Sequence, residues 1–196
     1  HENLRDGFAH IVGALPSEVV AMNSLTVNLH LLMVSFHRPE GDRRILLMED
    51  GAFPSDTYAV QTHIAARGGD PGADIVRVAP RPGEDLLRTE DILAEIERLG
   101  DRLATVMLGG VNFRTGQLLD LAAITDAAHA AGAIAGFDLA HAAGNVPLAL
   151  HDWDVDFAAW CTYKYLNGGP GAVAGAFIHE RHATNGDIPR FAGWWG

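Results

Sequence analysis

A single cysteine, Cys161, in 196 residues rules out an internal disulfide and makes a reducing, cytoplasmic setting the simpler expectation. Basic residues are scarce as well: 14 Lys+Arg stand against 25 Asp+Glu, a net charge of −11. A nucleic-acid surface needs the opposite sign, so nucleic acid is not expected as a partner. No apolar run approaches the ~18 residues of a membrane span, and no membrane partner is expected. The opening His1-Glu2-Asn3-Leu4-Arg5 is polar and unlike a signal peptide. No initiating Met precedes it, so a truncated N-terminus is expected. Repeats, low-complexity tracts and linkers are missing too. What is present is a chain 48% hydrophobic and 20% charged, the balance of a globular domain, whole or part of a larger one.

Short apolar runs alternate with helical patterns. Glu18 to Met22, Arg44 to Glu49, Asp74 to Ala79, Leu103 to Leu108, Ala133 to Phe137, Val155 to Cys161 and Ala172 to Ile178 read as strands. Between them, Val27 to Phe36 reads as a largely buried helix with Ser24 as N-cap. A second helix runs to about Ala66 behind Pro54-Ser55-Asp56. A third is capped by Thr89 and ends at Leu99, and a fourth spans Leu118 to Ala131 before Gly132. Residues 8–22 hold an apolar, hinge-like piece, Ile11 to Leu15, ahead of the first strand. Steady alternation with short links predicts an α/β fold: three layers, α/β/α, around a mostly parallel sheet.

The chemistry gathers in Ala133 to Gly171. One apolar run ends at Asp138 and passes His141; the next delivers Lys164 between Tyr163 and Tyr165, before a glycine loop. Parallel strands hand over to loops in this way, and ligands bind outside their carboxyl ends. Asp138 and Lys164 are therefore expected at neighbouring strand ends facing one crevice. A lysine among apolar and aromatic groups has its charged form disfavoured, so its amine becomes nucleophilic and forms Schiff bases, including with pyridoxal phosphate. That cofactor also needs a carboxylate at its ring nitrogen. A capping Asp and a snorkelling Lys explain the same residues, and spacing alone slightly favours that plainer account. Phe53 suits either the core or the face of a planar ring. Ser24 opens a helix whose amino end suits a phosphate, a weak signal by itself.

Other motifs fail on spacing. Asp152-Trp153-Asp154-Val155-Asp156 starts like a calcium loop, but Phe157 and Tyr163 occupy the positions that need Gly and Glu. His179 and His182 are three apart where a zinc helix wants four, so a solvated turn is expected. Gly169 to Ala174 fits a dinucleotide fingerprint loosely but leads into a strand.

Taken together, Leu25-Thr26-Val27-Asn28-Leu29-His30, Phe53-Pro54-Ser55-Asp56, Pro80-Arg81-Pro82-Gly83-Glu84, Gly136-Phe137-Asp138-Leu139-Ala140-His141 and Thr162-Tyr163-Lys164-Tyr165-Leu166-Asn167 resemble kynureninases, in the same order from about Ile11 to Gly196. The resemblance implies a pyridoxal 5'-phosphate enzyme of the aspartate-aminotransferase fold (fold type I), usually a homodimer. Its substrate would be L-kynurenine or 3-hydroxykynurenine. Hydrolysis would give anthranilate or 3-hydroxyanthranilate and L-alanine, within tryptophan catabolism and the route to NAD. It also implies that residues 1–196 are the cofactor-binding large domain. The N-terminal arm would be absent, as would the C-terminal small domain with the arginine for the substrate carboxylate.

By position, Lys164 would carry the cofactor and Asp138 would hold its ring nitrogen. His141 would sit beside the ring and Phe53 would stack on it. Leu25 and Thr26 would bind the phosphate at the helix start, and Pro54, Ser55 and Asp56 would belong to the cofactor site. Tyr163 would touch the phosphate and act as an acid. Trp194, after Gly193, would reach the phosphate across a dimer, with Trp195 making the register ambiguous. Gly109 occupies a cofactor-site position where relatives can have a hydroxyl residue. The competing expectations are a cysteine desulfurase or aminotransferase of the same fold, and an inactive fragment that binds the cofactor. A desulfurase needs a mobile cysteine, and Cys161 sits in a strand candidate.

Overall fold

The apolar runs become strands buried on both faces, as a sheet covered by helices on either side requires. The structure, a computed structural model, describes residues 2–191. Its strands are β1 (Val19–Ala21), β2 (Ile45–Glu49), β3 (Ile75–Val78), β4 (Leu103–Gly109), β5 (Ile134–Asp138), β6 (Phe157–Trp160) and β7 (Gly175–Ile178). They form one sheet in the order β1-β7-β6-β5-β4-β2-β3. β7 runs antiparallel to both of its neighbours, and the remaining pairs are parallel.

Side chains alternate between two cores because successive strand residues point to opposite faces. Leu47, Val106, Phe137, Trp160 and Phe177 face α1 (Arg5–Val12) and, further along the chain, the helices Thr89–Leu99 and Leu121–Ala130. Leu46, Met48, Met107 and Phe157 face α2 (Leu25–Phe36) and α3 (Pro54–Ala66). A short turn of helix, α4 (Pro71–Asp74), enters β3, and the two later helices are α5 (Thr89–Leu99) and α6 (Leu121–Ala130). Trp160, Phe137, Phe157 and Phe177 are fully buried, each stabilising by roughly 1.5–3 kcal/mol. Phe157 stacks on Phe36 with centroids 5.2 Å apart. It also lies across Gly136, where a Cβ would come within 2.1 Å of its ring, so only glycine lets β5 pass beneath it. No helix among the described residues is long and apolar enough to cross a membrane.

The expected α/β/α layering and mostly parallel sheet are present, with local corrections. The hinge-like piece is the end of helix α1, closed by Gly13 in the left-handed region at φ 62°. Thr89 is the first helical residue of α5, not its cap, and the preceding Arg88 makes no side-chain cap bond. α6 starts later than expected, because Asp120 caps it by accepting the Ala123 amide while Leu118 pairs with Val111. Asp74 belongs to α4, leaving β3 shorter. The His179–His182 turn is present and exposed at Glu180 and Arg181, but His179 is buried and both histidines meet carboxylates.

Candidate active site

β2, β4, β5 and β6 run parallel, so their carboxyl ends open on one edge of the sheet. Asp138 ends β5, in register with Gly109 at the end of β4 and Ala159 of β6. Its Oδ1 accepts the Ala140 amide at 2.6 Å, which fixes the buried carboxylate on its own loop. The same loop presents His141, and the loop after β6 presents Lys164. Lys164 Nζ lies 2.9 Å from His141 Nε2 and 5.6 Å from the centre of the Phe53 ring. The setting of the amine is thus polar and aromatic, half-buried instead of apolar. Burial, then the neighbouring Lys164 charge, holds the His141 imidazole below its ordinary range, so its neutral ring can accept from the ammonium. Phe53 meets Phe113 edge to face at 5.2 Å and stays 44% exposed. It is therefore a wall of the site and not part of the core.

Two further carboxyls converge on Asp138. Asp56, in the first turn of α3, is buried, and its Oδ1 has no hydrogen-bond partner. Burial, then the charge of Asp138 and a hydrogen bond to it, pushes the Asp56 carboxyl up to about 9, so it keeps its proton at neutral pH. Burial likewise raises Glu49, at the end of β2, against the bond it accepts from Asn112 Nδ2 at 2.8 Å and one from the Gly109 amide. A Cβ on Gly109 would stand 3.0 Å from Glu49 Oε1, so a hydroxyl side chain there would crowd this acid.

At the outer side, two helices begin together. Thr26, in the first turn of α2, and Ser55, in the first turn of α3, bring their hydroxyls within 2.9 Å. Leu25 opens α2, and Ser24 caps it by accepting the Val27 amide at 3.4 Å. Pro54 opens α3 without costing a hydrogen bond. Paired hydroxyls at two helix starts make an anion site more specific than one capped helix.

This donor set fits pyridoxal phosphate in kind. It offers one amine for the aldehyde, a buried carboxylate and an orphaned buried acid for the ring nitrogen, and hydroxyls at helix starts for the phosphate. Phe53, Asp56, Asp138 and His141 line one small pocket together with Glu49, Gly109, Val111 and Phe113. Tyr163 is 52% exposed, and what burial it has, followed by its contact with Cys161, keeps its phenol protonated above the ordinary range. Cys161 is itself buried, its thiol pushed up by burial, which is opposite to what a mobile thiolate needs. Trp194 lies outside the described residues. Sequence reasoning missed Glu49, Asn112 and Phe113.

The fold and this edge of acid, amine and hydroxyls define a class. A sequence model of the Aminotransferase class-V family matches residues 1–184, and the chain belongs to that family of pyridoxal-phosphate enzymes. Within it, the chain is 62% identical over 195 residues to the kynureninase of Salinispora tropica, covering 100% of this chain and 46% of that protein. It is 58% identical over 196 residues to the kynureninase of Koribacter versatilis, again covering 46% of the relative. With the kynureninase of Nematostella vectensis it shares 58% over 188 residues, which cover 96% of this chain and 40% of that one. The chain thus spans about half the length of the curated relatives it matches. Among solved structures, a cystine C–S lyase bound to cysteine persulfide superposes with TM-score 0.80 at 23% identity, covering 98% of this chain and 49% of the other. A cysteine desulfurase from Thermococcus onnurineus gives 0.75 at 20%, covering 92% and 43%. These last two likenesses establish the fold alone.

Proposed function

We propose that the full-length protein is a pyridoxal-phosphate-dependent hydrolase. It cleaves L-kynurenine, or its 3-hydroxy form, with water into anthranilate, or 3-hydroxyanthranilate, and L-alanine in tryptophan breakdown. One observation carries this reading. The chain's only lysine stands with Asp138 and His141 at adjoining strand ends, in a sequence 62% identical to a kynureninase along its length. Bound here, the cofactor would supply an aldehyde that captures the substrate amine and a ring that takes up electron density from the bond being broken.

The chain's own residues would do the rest. Asp138, fixed by Ala140, would face the ring nitrogen and hold its proton, with protonated Asp56 beside it. Lys164 Nζ would tether the cofactor and, once displaced by the substrate amine, take the proton from the substrate α-carbon. His141 Nε2, 2.9 Å away, is placed to steady that nitrogen. Leu25, Thr26 and Ser55 would hold the phosphate at the two helix starts, and Phe53 would lie against the ring. Tyr163, kept protonated, would give a proton to the carbon released when the Cβ–Cγ bond breaks. A homodimer in the cytoplasm is the expected setting.

Assaying the full-length protein for anthranilate release tests this reading. Turnover of kynurenine or 3-hydroxykynurenine that disappears in Lys164→Ala is expected. Turnover of cysteine with none of either kynurenine would overturn it, although buried Cys161 argues against that desulfurase chemistry.

A further inference from the structure

The opposite, amino edge of the sheet gathers a second set of ligand-type side chains. Glu18 precedes β1, His151 lies in the loop before β6, and His179 follows β7. The Glu18 side chain is fully buried. Its Oε2 accepts the Leu15 amide at 2.8 Å; its Oε1 accepts the Glu180 amide at 2.8 Å and meets His151 Nδ1 at 2.9 Å. His179 Nδ1 stands 3.7 Å from that same Oε1. The two imidazoles stack 4.9 Å apart and 11° from parallel.

The environment of His179 sets its tautomer. Its Nε2 lies 3.3 Å from Asp154 Oδ1 and its Nδ1 accepts the Arg181 amide at 3.2 Å. The ring therefore carries its hydrogen on Nε2 and offers its Nδ1 lone pair to the Arg181 amide, with Glu18 Oε1 3.7 Å away. A carboxylate behind the far nitrogen of a histidine is also how proteins orient a metal ligand. Asp154, at φ 58°, also receives Arg181 at the same Oδ1 and at its own carbonyl.

We propose that Glu18, His151 and His179 bind a divalent transition-metal ion of the zinc class, with solvent in the fourth position beside the partly exposed His151. The ligating atoms of the three residues lie within 4.8 Å of one another. Tetrahedral bonds of about 2.0–2.1 Å need separations of roughly 3.3–3.4 Å, between the 2.9 and 3.7 Å observed. Two imidazoles with one carboxylate suit zinc over calcium or magnesium, which take oxygen ligands. The ion would replace the proton shared by His151 and Glu18 and would take the His179 lone pair from the Arg181 amide. It would join the segments flanking β1, β6 and β7, far from Lys164, so this inference is independent of the proposed reaction.

The test is zinc uptake by the full-length protein after chelator stripping, measured by competition with a chromophoric chelator and by the change in Tm. One ion per chain is expected, with a rise in Tm and no change in cofactor absorbance. Removing a ligand should cost more than an outer-shell partner does, so His179→Ala and His151→Gln should each weaken uptake by about 100-fold or more. His151→Gln keeps a hydrogen-bonding group at the rim, and its circular dichroism should match the parent, which guards against a folding artefact in His179→Ala. No uptake by the parent, or uptake undiminished in both variants, would leave a proton-bridged carboxylate–histidine clamp and overturn the proposal.

Discussion

Both edges of this sheet bury carboxylates, but they treat them oppositely. At the carboxyl edge, Asp138 accepts one amide, Glu49 accepts Asn112 and Gly109, and Asp56 has an oxygen with no partner at all. At the amino edge, Asp156 takes the Ala135 amide, His129, His182 and Arg181, while Glu18 takes two amides and His151. The acid–base consequences follow. Burial dominates at Asp56 and Glu49 and raises both. At Glu18 and Asp156 burial also pushes upward, but the accumulated hydrogen bonds outweigh it and both fall. An acid left short of donors by its own fold is one kept for a ligand; Asp156, supplied with four donors, holds elements together.

Breaking one acid at each edge should separate these roles most sharply. Asp156→Ala strips the partner from His129, His182 and Arg181 and leaves the Ala135 amide unpaired. Loss of about 3–5 kcal/mol of stability is expected in urea unfolding. Asp138→Asn should leave the urea midpoint nearly unchanged yet lower kcat by roughly 100-fold or more. Equal damage to stability from both would erase the distinction.

Acid should weaken the protein through a third buried pair. Burial, first, holds both His37 and His63 down at about 4, each also opposed by the Arg67 charge. Because their folded values lie below the unfolded 6.5, the contribution of these two histidines should be intact above pH 6.5. It should fall by up to about 3 kcal/mol per residue as pH drops from there to 4. Replacing His37 with Phe should flatten that decline in thermal melts between those pH values; an unchanged slope would show that other groups cause it.

Asp56 should have the opposite sign. Its folded value of about 9 lies far above that of an unfolded Asp, so the cofactor-free protein should lose stability as pH rises from about 4 to 9. Asp56→Asn removes that arm. The variant should gain on the order of 2 kcal/mol without cofactor at pH 7, measured by urea unfolding, while its affinity for pyridoxal phosphate falls. A variant both less stable and weaker in binding would mean that Asp56 is structural.

The sequence carried the layering well, because β2 and β4 to β6 are apolar runs of strand length and the links between elements are short. It carried Asp138 and Lys164 for a related reason: each follows such a run. Glu49 ends the Ile45–Glu49 run in the same way as Asp138 ends its own, so the signal was there and went unused. Lys164 is also the only lysine in the chain, another legible fact that sharpens its role. The amino-edge cluster was not legible, since residues 18, 151 and 179 meet only through the antiparallel insertion of β7 between β1 and β6. Helix α1 was obscured by Gly7 in its first turn and by its length of only 8 residues.

Covalent trapping at Lys164 provides the most direct test of the central claim, that Lys164 and Asp138 grip one pyridoxal ring. The full-length protein should be loaded with pyridoxal phosphate, reduced with borohydride, digested and mapped by mass spectrometry. The account predicts a single phosphopyridoxyl group on the peptide containing Lys164, lost in Lys164→Ala and diminished in Asp138→Asn. A protein that turns over kynurenine while the label sits on another residue, or on none, would contradict it.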